Sequence, residues 1–134
     1  MRLGILSLAA GLAIAVVPVG AHHSVAGAYD TRRELAVDGT VVEFRFVNPH
    51  PFMTLEVKTS GGVQRWKLEM DNRFELAEVG MTRDTFKPGE RIIVRGNPAY
   101  GEPQTLYIVA LERPADGFRY EQIDNSPRFN FKPR

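Results

Sequence analysis

Hydrophobic and polar residues alternate along much of this chain, and changes in that period divide it into elements. Over 35–47, Val42, Phe44 and Phe46 fall on one side and Glu43 and Arg45 on the other, the two-residue period of a half-buried strand. Asn48-Pro49-His50-Pro51 interrupts it, because two prolines cannot donate to a ladder. Alternation resumes over 52–58 through Met53, Leu55 and Val57. Ser60-Gly61-Gly62 marks a tight turn, and 63–70 returns with Trp66, Leu68 and Met70 on one face. These three strands predict a meander.

The period then lengthens. Asp71 or Asn72 caps a short helix whose apolar positions are Phe74, Leu76, Ala77 and Val79, and Gly80 is its C-terminal stop. Residues 82–86 add a further turn before Lys87-Pro88-Gly89-Glu90 reverses the chain. Strands follow at 91–95, with Ile92 and Val94 inward, and at 104–112, joined across Asn97-Pro98 and Tyr100-Gly101. The expectation is a mainly β domain over 35–112, a small five-stranded OB-like barrel with one short helix between strands 3 and 4. From Pro114 the periodicity stops. Residues 113–134 read as a loosely docked or disordered tail containing Phe118, Tyr120, Phe129 and Phe131, whose aromatics in the alternative reading pack back on the barrel or serve a partner.

The first 21 residues follow a different pattern. Arg2 precedes an apolar run to Val17, Pro18 breaks any helix, and Val19-Gly20-Ala21 supplies the small side chains that a signal peptidase inspects. The run is shorter than the ~20 residues that a bilayer core needs. Residues 1–21 therefore read as a signal peptide cut after Ala21, which makes the mature chain periplasmic or secreted, with no stable membrane insertion once it is gone. A rival cut after Ala26-Gly27-Ala28 would discard both His22 and His23. Residues 22–34 then form an N-terminal segment before the barrel.

Composition narrows the chemistry. The 134 residues hold 17 Lys+Arg, 16 Asp+Glu, 3 His and no Cys. Without cysteine there is no disulfide, thiolate zinc site, iron–sulfur cluster or cysteine nucleophile. Losing Arg2 levels the two charge counts, which argues against nucleic acid as a partner. Phe44, Phe46, Phe52 and Trp66 offer a base-stacking platform on paper. Their alternation and the neutral charge favour core packing instead.

The three histidines occupy two unusual places. Cleavage after Ala21 makes the mature chain begin His22-His23-Ser24. An N-terminal histidine chelates through its α-amine and its ring, and His23 adds a mode through amine, amide and imidazole. Such nitrogen-rich sets suit Cu(II) or Ni(II), and imidazole also suits Zn(II). His50, rigidly flanked by Pro49 and Pro51, is placed to supply the opposing ring of a copper histidine brace. Glu69 or Asp30 is a further ligand or orienting partner, and Met53, Met70 and Met81 are thioether alternatives that more commonly fill cores. In the bland reading the His-His pair is solvated, His50 caps a turn, and Asp30 makes one.

The segments His22-His23-Ser24, Tyr29-Asp30, Asn48-Pro49-His50, Trp66-Lys67-Leu68-Glu69, Gly80-Met81-Thr82-Arg83-Asp84 and Lys87-Pro88-Gly89-Glu90 occur in that order. Together they resemble a family of short exported bacterial proteins known as domain-of-unknown-function family 6152, over nearly all of 22–112. Val25 stands after the serine where the resemblance leads one to expect an aromatic. The resemblance implies export and a compact β domain, and singles out His22, His23, His50, Trp66 and Glu69.

Two functions follow, with an enzyme third. The first is an exported metal-binding protein, a periplasmic copper carrier or buffer, with His22, His23, His50 and Glu69 as the metal site. The second is a metal-free periplasmic OB-type module that binds a protein, glycan or small ligand at the 48–52 bend. A histidine brace also activates oxygen, but no substrate surface is visible in the sequence. The oligomeric state stays open.

Overall fold

The computed structural model describes residues 25–130. The signal segment, His22, His23 and Phe131 lie outside the described residues. The element order is α1 (Val25–Ala28), β1 (Leu35–Arg45), β2 (Phe52–Thr59), β3 (Gly62–Glu69), α2 (Arg73–Glu78), β4 (Arg91–Pro98), β5 (Thr105–Arg113), β6 (Phe118–Ile123) and β7 (Ser126–Asn130).

The strands pair in the order β3-β2-β1-β4-β5-β6-β7, and β3 also pairs with β5. That last pairing is parallel, from Lys67↔Thr105 to Glu69↔Tyr107, and it closes the first five strands into a barrel. Closure satisfies the backbone groups that an open edge would leave exposed. The expected five-stranded barrel with a short helix between strands 3 and 4 is therefore the observed fold. No helix among the described residues is long and apolar enough to cross a membrane.

Alternation explains the core. Met53 and Leu55 of β2, Leu68 of β3, Ile92 and Val94 of β4, and Leu106 and Ile108 of β5 are fully buried inside the barrel. β1 differs from its expected phase. Its ladder with β2 slips by one residue between Val41 and Glu43. Before the slip the inward residues are Val37 and Val41, both buried; after it Phe44 and Phe46 pack on the core. A bulge adds one unpaired residue and reverses which parity faces inward. Val42, expected to share a face with Phe44, is the residue caught at that reversal.

Asn72 caps α2, its side chain accepting from the Glu75 backbone N–H at 2.9 Å. Gly80 closes the helix end at φ 98°, a conformation that favours glycine. Leu76 is fully buried, but Phe74 is 67% exposed. The six-residue helix presents one narrow face to the core, and Phe74 lies about 200° round the axis from Leu76. Methionines 53, 70 and 81 are all sealed in the core.

The segment after Pro114 departs most from the sequence expectation. It continues the sheet as the hairpin β6–β7, with Leu111 of β5 opposite Tyr120. Phe118 and Tyr120 are buried, and Phe129 packs against the same cluster. Asp124 and Asn125 form its two-residue turn at φ 49° and 60°, between the paired Ile123 and Ser126.

Candidate functional site

The sequence-nominated residues His50 and Glu69 share a groove of about 420 Å³ at the C-terminal end of β3. Its floor follows from strand parity. Leu68 and Met70 point into the core, so Glu69 points out, and pairing with both β2 (Phe52↔Glu69) and β5 (Glu69↔Tyr107) fixes its place. Tyr107 emerges beside it, and Lys67 lines the same groove one outward position earlier.

The 49–51 connection makes one wall. The Asn48-Pro49 peptide is cis. The Met70 N–H donates to the Pro51 carbonyl at 2.9 Å and the Arg73 N–H to that of Pro49 at 3.0 Å, which ties the connection to the exit of β3. His50 Nδ1 lies 3.0 Å from the Met70 carbonyl oxygen. A carbonyl only accepts, so Nδ1 is the donor in this bond, and Nε2 is the ring nitrogen it leaves uncommitted. Glu69 Oε1 is 3.7 Å from the same Nδ1, close enough for attraction and too long for a hydrogen bond.

The N-terminal segment makes the opposite wall. Tyr29 bridges to Ala99, the Asp30 N–H donates to the Pro98 carbonyl at 2.9 Å, and the Tyr100 N–H donates to the Ala28 carbonyl at 2.9 Å. Asn97 Nδ2 reaches the Arg33 carbonyl at 2.7 Å. These bonds lay residues 28–33 along the β4–β5 connection. The Tyr29 hydroxyl then donates to Glu69 Oε2 at 2.6 Å, and its ring tilts against Tyr107 at 5.6 Å between centroids. Burial first, then the Glu69 carboxylate, push the Tyr29 phenol far above its ordinary range. Burial, with the Asp71 and Glu69 charges, does the same to Tyr107. Both remain neutral O–H groups at any physiological pH.

The structure thus brings His50 and Glu69 together, as the sequence reading paired them, and sets Tyr29 beside them. Asp30 is drawn away, its carboxylate taken by Arg32 Nε at 3.0 Å in a local turn. Trp66 packs on the core with Phe44 and Phe46, while Phe52 faces outward with Arg45 and Lys67 cations each 5.6 Å from its ring centre. Among the described residues no group of three His, Asp or Glu side chains converges to hold a metal ion. Tyr107, Tyr100 and Lys67 line the groove without having been nominated. Tyr107 had a legible signal, an aromatic within an alternating strand; its parallel pairing with Glu69 had none.

No curated protein matches this chain. Among solved structures it is similar to apo TiaS, an agmatidine synthetase, at 18% identity and TM-score 0.42, over 68% of this chain and 24% of that one. It is also similar to the ZRD-deleted mutant of TiaS in complex with agmatine, at 16% identity and TM-score 0.41, over 73% and 25%. The chain spans about a quarter of the length of these structures. A family model does match, across residues 10–106. The chain belongs to the family of unknown function DUF6152.

Proposed function

We propose that this chain is an exported barrel protein that binds a transition metal, copper in the first instance, in the groove between His50 and the N-terminal segment. One observation carries the reading: the wall opposite His50 is built from residues 25–29, directly after His22-His23-Ser24. At ~3.3–3.6 Å per residue, the three residues before Val25 reach at most about 10 Å, so His22 is tethered close to the groove that Val25 lines. The ring tautomer fits the chemistry. A histidine whose Nδ1–H is held by a backbone carbonyl presents Nε2 in the orientation that metal sites use. His22 would supply amine and ring, His50 the opposing Nε2, and Glu69 an orienting carboxylate. His23 offers the alternative amide mode, and Zn(II) or Ni(II) are the competing ions.

Titration of the mature protein with Cu(II) tests this against two variants, His50→Ala and a chain with one extra residue before His22. Sub-micromolar binding by the parent and clear weakening in both variants is the expected result. Equal binding by all three, or none tighter than micromolar, overturns it. Mass spectrometry of exported protein should give a chain that starts at His22; a start at Tyr29 is incompatible with the brace.

A metal-free reading has one observation in its favour. A groove of about 420 Å³ is many times the ~30 Å³ share of a water molecule, so it has room for a small organic ligand. Ligand protection of the groove residues without added metal would favour that reading.

A further inference from the structure

Tyr29 makes contacts of two kinds at once. Its hydroxyl donates to Glu69 Oε2 at 2.6 Å, a bond between residues 40 apart in sequence. Its backbone bridges to Ala99, inside the run of bonds that seats residues 28–30 on the β4–β5 connection. With Oε2 engaged, the other Glu69 oxygen is the one 3.7 Å from the His50 ring. The phenol is only 6% exposed and stays protonated, so it is a permanent donor to that carboxylate.

We propose that Tyr29 is the positioning residue of this groove: by holding Glu69 it sets the carboxylate toward His50 and latches the N-terminal segment to the barrel. Its effect on metal affinity rests on the reading above, whereas the latch stands without it. The two are coupled through one bond. Without the hydroxyl, Glu69 is free to turn, and the segment loses its side-chain bond to β3 while keeping its backbone bonds and the ring contact with Tyr107. Partners that orient a ligand from outside commonly change metal affinity 10–100-fold.

The test uses the mature chain, Tyr29→Phe, Glu69→Gln and the double variant, each measured by Cu(II) titration and, metal-free, by amide hydrogen exchange. Each single variant should weaken Cu(II) binding about tenfold, and the double variant no further than the weaker single, since both break the same bond. In metal-free Tyr29→Phe, the Asp30 and Tyr100 amides should exchange faster while those of Leu68 and Ile108 do not. Additive losses in the double variant, or unchanged affinity and exchange in Tyr29→Phe, overturn the proposal. Faster exchange throughout the barrel also overturns it, because Tyr29 would then be a core residue. If the parent itself binds no Cu(II), the metal reading falls separately, and the exchange result alone decides the latch.

Discussion

Gly96 sits at the register slip between β4 and β5, against the backbone that carries Tyr107 into the groove. A Cβ there would fall on the Tyr107 carbonyl oxygen and within 3.2 Å of Leu106 Cβ. Backbone cannot swing aside as a flexible side chain can. Gly96→Ala should therefore cost about 1–3 kcal/mol in urea denaturation, the usual cost of overpacking, and loosen the Tyr29–Tyr107 contact. Asp38 shows a different residue-scale effect. The Arg91 guanidinium hydrogen-bonds its carboxylate on both oxygens and holds its pKa below the ordinary carboxylate value. A depressed folded pKa contributes stability above the unfolded value of ~3.9 and loses it as pH falls through the lowered one. Asp38→Asn should lower the urea midpoint slightly at neutrality, by no more than an exposed pair contributes, and the difference from the parent should vanish as pH falls below about 4, which flattens the acid limb.

At the scale of elements, α2 is too short to persist by propensity, and its cap and the single buried Leu76 hold it. Asn72→Ala removes the acceptor for the Glu75 N–H and should cost about 1 kcal/mol. Because the Arg73 N–H is bonded to Pro49, fraying should be transmitted to the wall that bears His50. Comparing hydrogen exchange at Arg73 and Met70 in the variant and parent would register that transmission. The bulge in β1 is the other telling element. Val42, Phe44 and Phe46 look like one face in sequence, yet the inserted residue hands the inward role from Val41 to Phe44. Alternation reports a period, not the place where a ladder slips.

For the whole molecule, the C-terminal hairpin decides how much chain the domain needs. It supplies Phe118, Tyr120 and Phe129 to the core, and Asp116 just before it pairs with the Arg113 guanidinium at 2.9 Å. Arg113 itself lies between the Phe86 and Phe118 rings, at 5.5 and 5.1 Å from their centres. Gln122 extends the join, donating to Asp71 at 2.6 Å and accepting from the Tyr120 hydroxyl at 2.7 Å. A chain that stops at Arg113 keeps all five barrel strands but exposes this apolar cover. It should lose its near-ultraviolet circular dichroism and cooperative urea transition, whereas a chain that stops at Asn130 should keep both.

The barrel was readable because each of its strands alternates long enough to show a period of two, and because Ser60-Gly61-Gly62 and Lys87-Pro88-Gly89-Glu90 punctuate it. The β6–β7 hairpin was harder to see. Phe118-Arg119-Tyr120-Glu121 alternates for only one strand's worth of residues, and Asp124-Asn125 lacks the glycine that usually marks such a turn. At the groove, His50 and Glu69 stood out singly, one as a ring between prolines and the other as an outward carboxylate. Their closeness to each other, and the hydroxyl of Tyr29 on Glu69, depend on the parallel closure of β3 on β5 and on where residues 28–33 lie. The sequence by itself determined the local periods, the turns and the outward parity of Glu69, all of which follow from steric and hydrophobic rules between near neighbours. Only the tertiary structure decided which distant residues meet, because contacts across 40 positions arise from barrel closure and leave no trace in local pattern.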